Sequence, residues 1–330
     1  MEPLRNLITD IPGLRIGNAD DPSLASGVTV ALFDDVAVAA CSVLGGAPGT
    51  RETDALEPDR LVPGAHAIVL SGGSAFGLDA ASGVQAYLRE QGIGFPVGAV
   101  RVPIVAQAVA FDLLNGGDKN WGRYPPYREL GYEAAARAAR DFALGNAGGG
   151  AGVTTVNLKG GLGSASARTS AGYTVGALVV VNSIASAVVG QGPHFWAGAL
   201  EEDAEFGGLG LPARVAPEQR RLTWKAGPQP ATTIALVATD AALHKGQAKR
   251  LAVAAHGGLA KGLRFAHALQ DGDTVFAAAT GLRPLGSEAD LVEIAAVAGD
   301  CLARAIARGV YEATRLPFPG AIPAWRDLYG

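Results

Sequence analysis

Thr232 and Thr233 stand where loop chemistry at 227–230 gives way to an apolar strand, expected over 233–238. A hydroxyl is a weak nucleophile until a base takes its proton. Cutting the chain just before it supplies that base, because the freed α-amine, with an ordinary pKa near ~8, sits on the same residue. The device needs a pliable segment before the nucleophile and a rigid strand after it, and this stretch offers both. Other groups invite different chemistry. The SGGSAFG turn at 71–77 lies between an expected strand and an expected helix, where free N–H groups suit a phosphate. It lacks the G-x-G-x-x-G spacing and any following Lys, so it reads as a tight turn. Lys159 precedes its glycines in KGGLGS, and locally this reads as a surface turn with an exposed Lys. Asp271-Gly272-Asp273 reads locally as a turn. The five histidines (His66, His194, His244, His256, His267) show no metal-ligand spacing, and neither H-E-x-x-H nor G-x-S-x-G occurs.

The elements that must position these groups follow from periodicity and turn signals. Strands are expected at 27–33 and 36–43, joined as a hairpin by Asp34-Asp35. Further strands are expected at 65–70, 152–158, 173–181, 233–238 and 274–279. Helices are expected at 78–90, 134–142, 242–262 (capped by Thr239 or Asp240) and from the Ser287-Glu-Ala-Asp290 cap to about 313. The segment 201–225 is charged and irregular. Strands that cluster, with helices following in pairs, favour stacked sheets covered by helices over strict alternation.

The chain has 330 residues, of which 48% are hydrophobic and 18% charged, so a packed core follows. A formal charge of −4 does not attract nucleic acid or anionic membrane. Cys41 and Cys301 are too few and too far apart for a disulfide framework or zinc site, and read as packing residues. The N-terminal stretch has no apolar segment of signal-peptide type. The greasiest run, 175–190, is interrupted by Asn182, Ser183 and Ser186 and is too short to span a bilayer. A cytoplasmic protein is expected.

Several motifs in one order carry a family resemblance: ITDIPGLRIGNA (8–19), GGAPGTRETDALEP (45–58), LSGGSAFGLDAA (70–81), NGGDKNW (115–121), PPYRELG (125–131), LGNAGGGAG (144–152), KGGLGSAS (159–166), then TTIALVATDAAL and DGDTVFAAATG. Together they resemble the S58 (DmpA-like) peptidases, which include β-aminopeptidases, L-aminopeptidase/D-esterases and nylon-oligomer hydrolases. A Thr at the cutting point makes the chain look most similar to the last group. The resemblance implies an α/β (α+β) fold, a four-layer αββα sandwich in one domain. It also implies self-cleavage between Ala231 and Thr232 into 1–231 and 232–330, with Thr232 as nucleophile.

The same resemblance implies the remaining roles. Lys159 matches the active-site Lys, where a positive charge lowers a nearby amine pKa or steadies negative charge. Asn182 matches the oxyanion Asn. Asp271 and Asp273 match the pair that orients the nucleophile and assists self-cleavage. The oxyanion Tyr matches Tyr127, with Tyr124 as the alternative. Ala231 departs from the Asn or Gly usual before the nucleophile, which implies slower processing or greater reliance on Pro230. The expected activity is hydrolysis of linear amides without metal or cofactor, on nylon-6-type (6-aminohexanoate) oligomers in a homotetramer. The alternatives are a β-peptidyl aminopeptidase or L-aminopeptidase/D-esterase, an acyltransferase similar to ornithine acetyltransferases, and an uncleaved binding protein.

Overall fold

The 18-residue strand Ser26–Val43 organises both sheets of this computed structural model, which describes residues 3–225 and 231–330. The 227–230 loop expected ahead of Thr232 lies outside the described residues. In chain order the strands and helices are β1 (Leu14–Asp21), β2 (Ser26–Val43), β3 (Thr50–Arg51), β4 (Ala65–Ser71), α1 (Ser74–Gly77), α2 (Ala80–Glu90), β5 (Phe95–Val97), β6 (Val100–Val102), β7 (Val105–Val109) and α3 (Tyr127–Ala136). They continue as β8 (Leu162–Arg168), β9 (Thr174–Asn182), β10 (Thr232–Ala242), α4 (Lys245–Gly262), β11 (Thr274–Pro284), α5 (Glu288–Tyr311) and α6 (Trp325–Tyr329).

The N-terminal half of β2 pairs with β1 and β4, and β7 and β3 extend that sheet. Its C-terminal half pairs with β11, followed by β10, β9 and β8. The expected hairpin at Asp34-Asp35 is therefore a bend within one strand. Residues 34–36 are exposed there, and the β2–β4 register shifts between Leu32 and Ala37. Such a bulge bends a strand without ending it, which lets one strand serve two stacked sheets.

Alternation then divides the side chains among three apolar layers. Leu178, Val180, Ile234, Leu236 and Phe276 meet Phe33, Ile68 and Leu70 between the sheets, together with Cys41. Their neighbours Val179, Val181, Ala235 and Val237 point outward to α4 and α5, beside Cys301. On the opposite side, Val30, Leu32 and Val69 pack on α2 and α3 through Val84 and Leu130. The layers run helix, sheet, sheet, helix, as expected. Strands covered on both faces read as continuous apolar runs, which is why β9 and β10 were legible. Gly163 permits the closest approach of α5, since a Cβ there would stand 1.8 Å from the Ala305 carbonyl oxygen.

Some local expectations are corrected. The stretch 152–158 forms no strand; it makes an isolated bridge, Thr154 to Lys159, while 162–168 is a strand. The helix expected at 134–142 runs instead from Tyr127 to Ala136. Ala139 leaves the helix to exchange two backbone hydrogen bonds with Ile16, at 2.9 and 3.0 Å. The strand after Thr232 continues to Ala242, so Thr239 and Asp240 stay in the sheet. His244 caps α4 instead, its Nδ1 accepting from the Gln247 amide at 3.2 Å. Ser287 caps α5 as expected, accepting from the Asp290 amide.

Candidate active site

Strand direction gathers the expected residues at one end of the second sheet. β10 and β11 are parallel, so their starts, Thr232 and the Asp271–Asp273 turn, lie side by side. β9 is antiparallel to β10, so its end, Asn182, faces Thr232 in register. β8 is antiparallel to β9, which brings the turn before it, with Lys159, to the same edge. All five polar side chains are buried. An unpaired polar group buried here would be costly.

The Thr232 Oγ donates to the Ala231 carbonyl oxygen at 2.5 Å. The methyl of Ala231 packs in a small apolar cluster with Ile184, Ala185 and Ala268. The Asp273 Oδ1 accepts from the Thr233 amide at 2.9 Å, and its Oδ2 accepts from the His267 amide at 2.7 Å, with the His267 ring 3.1 Å away. These bonds pin the strand one residue beyond Thr232. The Asp271 carboxyl has no well-aligned donor. Burial and then the Asp273 charge push its pKa up, partly offset by the Ile184 and Ala268 amides and by Lys225.

Asn182 stands behind a cavity of about 310 Å³ and is bonded to three residues of its wall. Its Nδ2 donates to the Phe111 carbonyl at 2.9 Å, and its Oδ1 accepts from the Thr154 amide and the Lys225 Nζ, both at 3.1 Å. Lys159 and Lys225 both line this cavity with Asp112, while Leu114, Leu316 and Ile322 supply apolar wall. Lys159 is 1% exposed, not the surface residue its local sequence suggests, and donates to the Gly150 and Gly160 carbonyls at 2.9 Å. Burial lowers its pKa from 10.5 to about 7, against the pull of Asp112. Burial lowers Lys225 to about 7 as well, against Asp271.

Tyr127 is not among the residues lining the cavity. Its hydroxyl donates to the Ser26 Oγ at 3.0 Å, and Ser26 donates to the Asp112 Oδ2 at 2.6 Å. Tyr124, 76% exposed, is outside the lining too. The Gly73 amide of the SGGSAFG turn donates to the Asp112 Oδ1, so a carboxylate of the chain itself takes that donor. Lys225 and Asp112, which share the cavity wall with Lys159, carry no expectation from sequence. Lys225 ends a segment that reads only as charged and irregular, and Asp112 lies just outside the NGGDKNW motif; neither has a local spacing signal.

The layered architecture resembles that of a β-aminopeptidase from Burkholderia sp., with a TM-score of 0.71 at 24% identity, covering 98% of this chain and 91% of the other. It also resembles the L-aminopeptidase D-Ala-esterase/amidase of Ochrobactrum anthropi, described as a variant of the Ntn hydrolase fold (TM-score 0.66, 20% identity, 95% and 88% covered). The fold is thus of the Ntn hydrolase type. Residues 6–321 match the description of peptidase family S58, and the chain belongs to that family. An uncharacterized aminopeptidase of Mycobacterium tuberculosis is 42% identical over 349 residues, covering 98% of each chain. The 6-aminohexanoate-oligomer endohydrolase of Kocuria sp. is 25% identical over 283 residues, covering 82% of this chain and 74% of its own. The expectation of greatest similarity to nylon-oligomer hydrolases is corrected accordingly. Among the described residues no helix is long and apolar enough to cross a membrane.

Proposed function

We propose that the chain is a self-processing aminopeptidase whose nucleophile is Thr232, exposed as a new N-terminus by cleavage after Ala231. The observation that carries this reading is the register of β10 on β9. Thr232 faces Asn182, and the Asn182 amide is tied to three residues of the cavity wall. In the cut enzyme the Thr232 amine takes the proton of its own Oγ as that oxygen attacks the substrate carbonyl. Asn182 donates to the oxyanion, and Lys159 in its protonated form adds positive charge to the cavity wall. The amine product leaves with the proton, and water then releases the acyl group. Asp273 fixes the start of the strand through the Thr233 amide. Tyr127 acts at one remove, through Ser26 and Asp112.

The substrates of this reading are short peptides and aminoacyl amides with a free amine. The end-to-end identity with an aminopeptidase supports that class over 6-aminohexanoate oligomers. A homotetramer is part of the proposal, and light scattering measures it. Denaturing mass spectrometry is the primary test. Two pieces split before Thr232, with a whole and inert Thr232→Ala variant, are expected. A single uncut chain without amidase activity would favour a binding protein, and acyl transfer to added ornithine a transferase. In a turnover panel, L-amino-acid amides are expected to exceed β-alanyl dipeptides and 6-aminohexanoate oligomers.

A further inference from the structure

We infer that the backbone N–H of Gly272 is the oxyanion donor for the self-cleavage step. This rests on the reading that the chain cuts itself between Ala231 and Thr232. The Gly272 amide donates to the Ala231 carbonyl oxygen at 2.9 Å, and that carbonyl belongs to the bond to be broken. The other end of the same peptide unit is also held, because the Asp271 carbonyl accepts from the Ala47 amide at 2.7 Å. The donor is therefore clamped in direction before any reaction begins, and a buried dipole that needs no reorientation stabilises developing charge best. Hydrogen bonds in series also polarise one another. The bond runs along a parallel bridge between Ala231 and Asp271, in which the Ala231 amide donates to the Gln270 carbonyl at 3.2 Å.

The residue at 272 has to be glycine for this geometry. A Cβ there would stand 2.8 Å from the Thr232 Oγ, 2.7 Å from the Ala47 carbonyl oxygen and 3.0 Å from the Thr232 methyl. The clamp itself is packed beneath the turn. A Cβ on Gly45 would meet the Asp273 nitrogen at 2.3 Å, and the Leu44 and Gly45 amides both donate to the Asp273 carbonyl. The GGAPG segment at 45–49 thus acquires a physical role: it holds the Asp271–Gly272 peptide against the scissile carbonyl.

The step balances as follows. The Thr232 Oγ forms a bond to the Ala231 carbonyl carbon, and the carbonyl electron pair moves onto its oxygen, where the Gly272 N–H meets it. The bond from that carbon to the Thr232 nitrogen then breaks, and the proton lost by Oγ ends on the departing nitrogen. The product is an ester between Ala231 and the Thr232 side chain. Water hydrolyses it to an Ala231 carboxylate and a free Thr232 hydroxyl and amine.

Replacing Gly272 by glycolic acid, through nonsense suppression in cell-free synthesis of the full chain, turns the N–H into an ester oxygen and adds no side chain. The measurement is the rate at which two fragments appear on denaturing gels after synthesis is stopped, for wild type and variant. A fall of roughly 10²–10³-fold is expected, with thermal unfolding followed by circular dichroism to check the fold. Replacing Ala47 by lactic acid, which removes only the N–H that clamps the peptide, is expected to slow cutting by a smaller factor. Cleavage of both variants at the wild-type rate overturns the inference and leaves the aminopeptidase reading intact. A wild-type chain that is never cut after Ala231 overturns that reading and takes the inference with it.

Discussion

Asn182 carries two duties. It keeps the cavity wall together through Phe111, Thr154 and Lys225, and it is the proposed donor to the oxyanion. Asn182→Ala is expected to lower kcat by about 100-fold or more with a smaller change in KM, read from steady-state hydrolysis of an aminoacyl amide. It also leaves the Thr154 amide without its acceptor, while Lys225 keeps the Thr154 carbonyl at 2.8 Å, at a cost of about 1–3 kcal/mol. Lys159 makes a prediction in pH. Its folded pKa of about 7 lies below the ordinary 10.5. Between those values the unfolded chain holds a proton that the fold does not, so this residue makes stability rise with pH across that window and leaves it flat below. Lys159→Met is expected to remove up to about 1.4 kcal/mol per pH unit of that slope, measured by urea unfolding from pH 7 to 10. The roles proposed for Thr232, Lys159, Asn182 and the aspartate pair could be assigned from sequence because the matching motifs fix residue types at fixed places. Lys225 and the Gly272 N–H could not be named this way: one is an unremarkable cation in a loop, and the other is a backbone group whose meaning exists only once two parallel strands are aligned.

Two of the strands that hold the site, β9 and β10, are buried along nearly their whole length. Leu236 lies mid-way along β10 in the layer between the sheets, fully buried. Leu236→Ala is expected to cost about 2–5 kcal/mol, measured by denaturant titration. The truncation leaves the surface exposed on unfolding nearly unchanged, so the cost should appear as a lower midpoint with an unchanged slope. Burial on both faces made β9 and β10 readable as apolar runs. The same logic failed at β8, whose LGSASAR sequence has little intrinsic strand character and is ordered by pairing with β9. It failed again at the end of α3, where an Ala-rich stretch with good helix propensity is drawn off by the bridge from Ala139 to Ile16. Propensity is a weak prior where tertiary pairing competes.

At the scale of the whole molecule, the proposed cut falls inside a sheet rather than between two bodies. The fragment 232–330 would supply β10, β11, α4 and α5, while 1–231 supplies β9 and β2 on either side of that strand pair. The fragments are therefore expected to remain together under native conditions and to separate only in denaturant, as native mass spectrometry would register. The layering was foreseen because strands clustered and helices followed in pairs. The shared strand was not, because two exposed aspartates between apolar runs look alike whether the chain reverses or only bends.

The two thiols give this architecture a built-in clock. Cys41 lies between the sheets and Cys301 on the buried side of α5, and burial raises both to about 12. Neither forms an appreciable thiolate in the fold, and alkylating reagents attack the thiolate. Iodoacetamide uptake at each position therefore times the opening of its own layer, so that a ratio of the two rates tells whether the molecule comes apart at its seam or sheds its helices first.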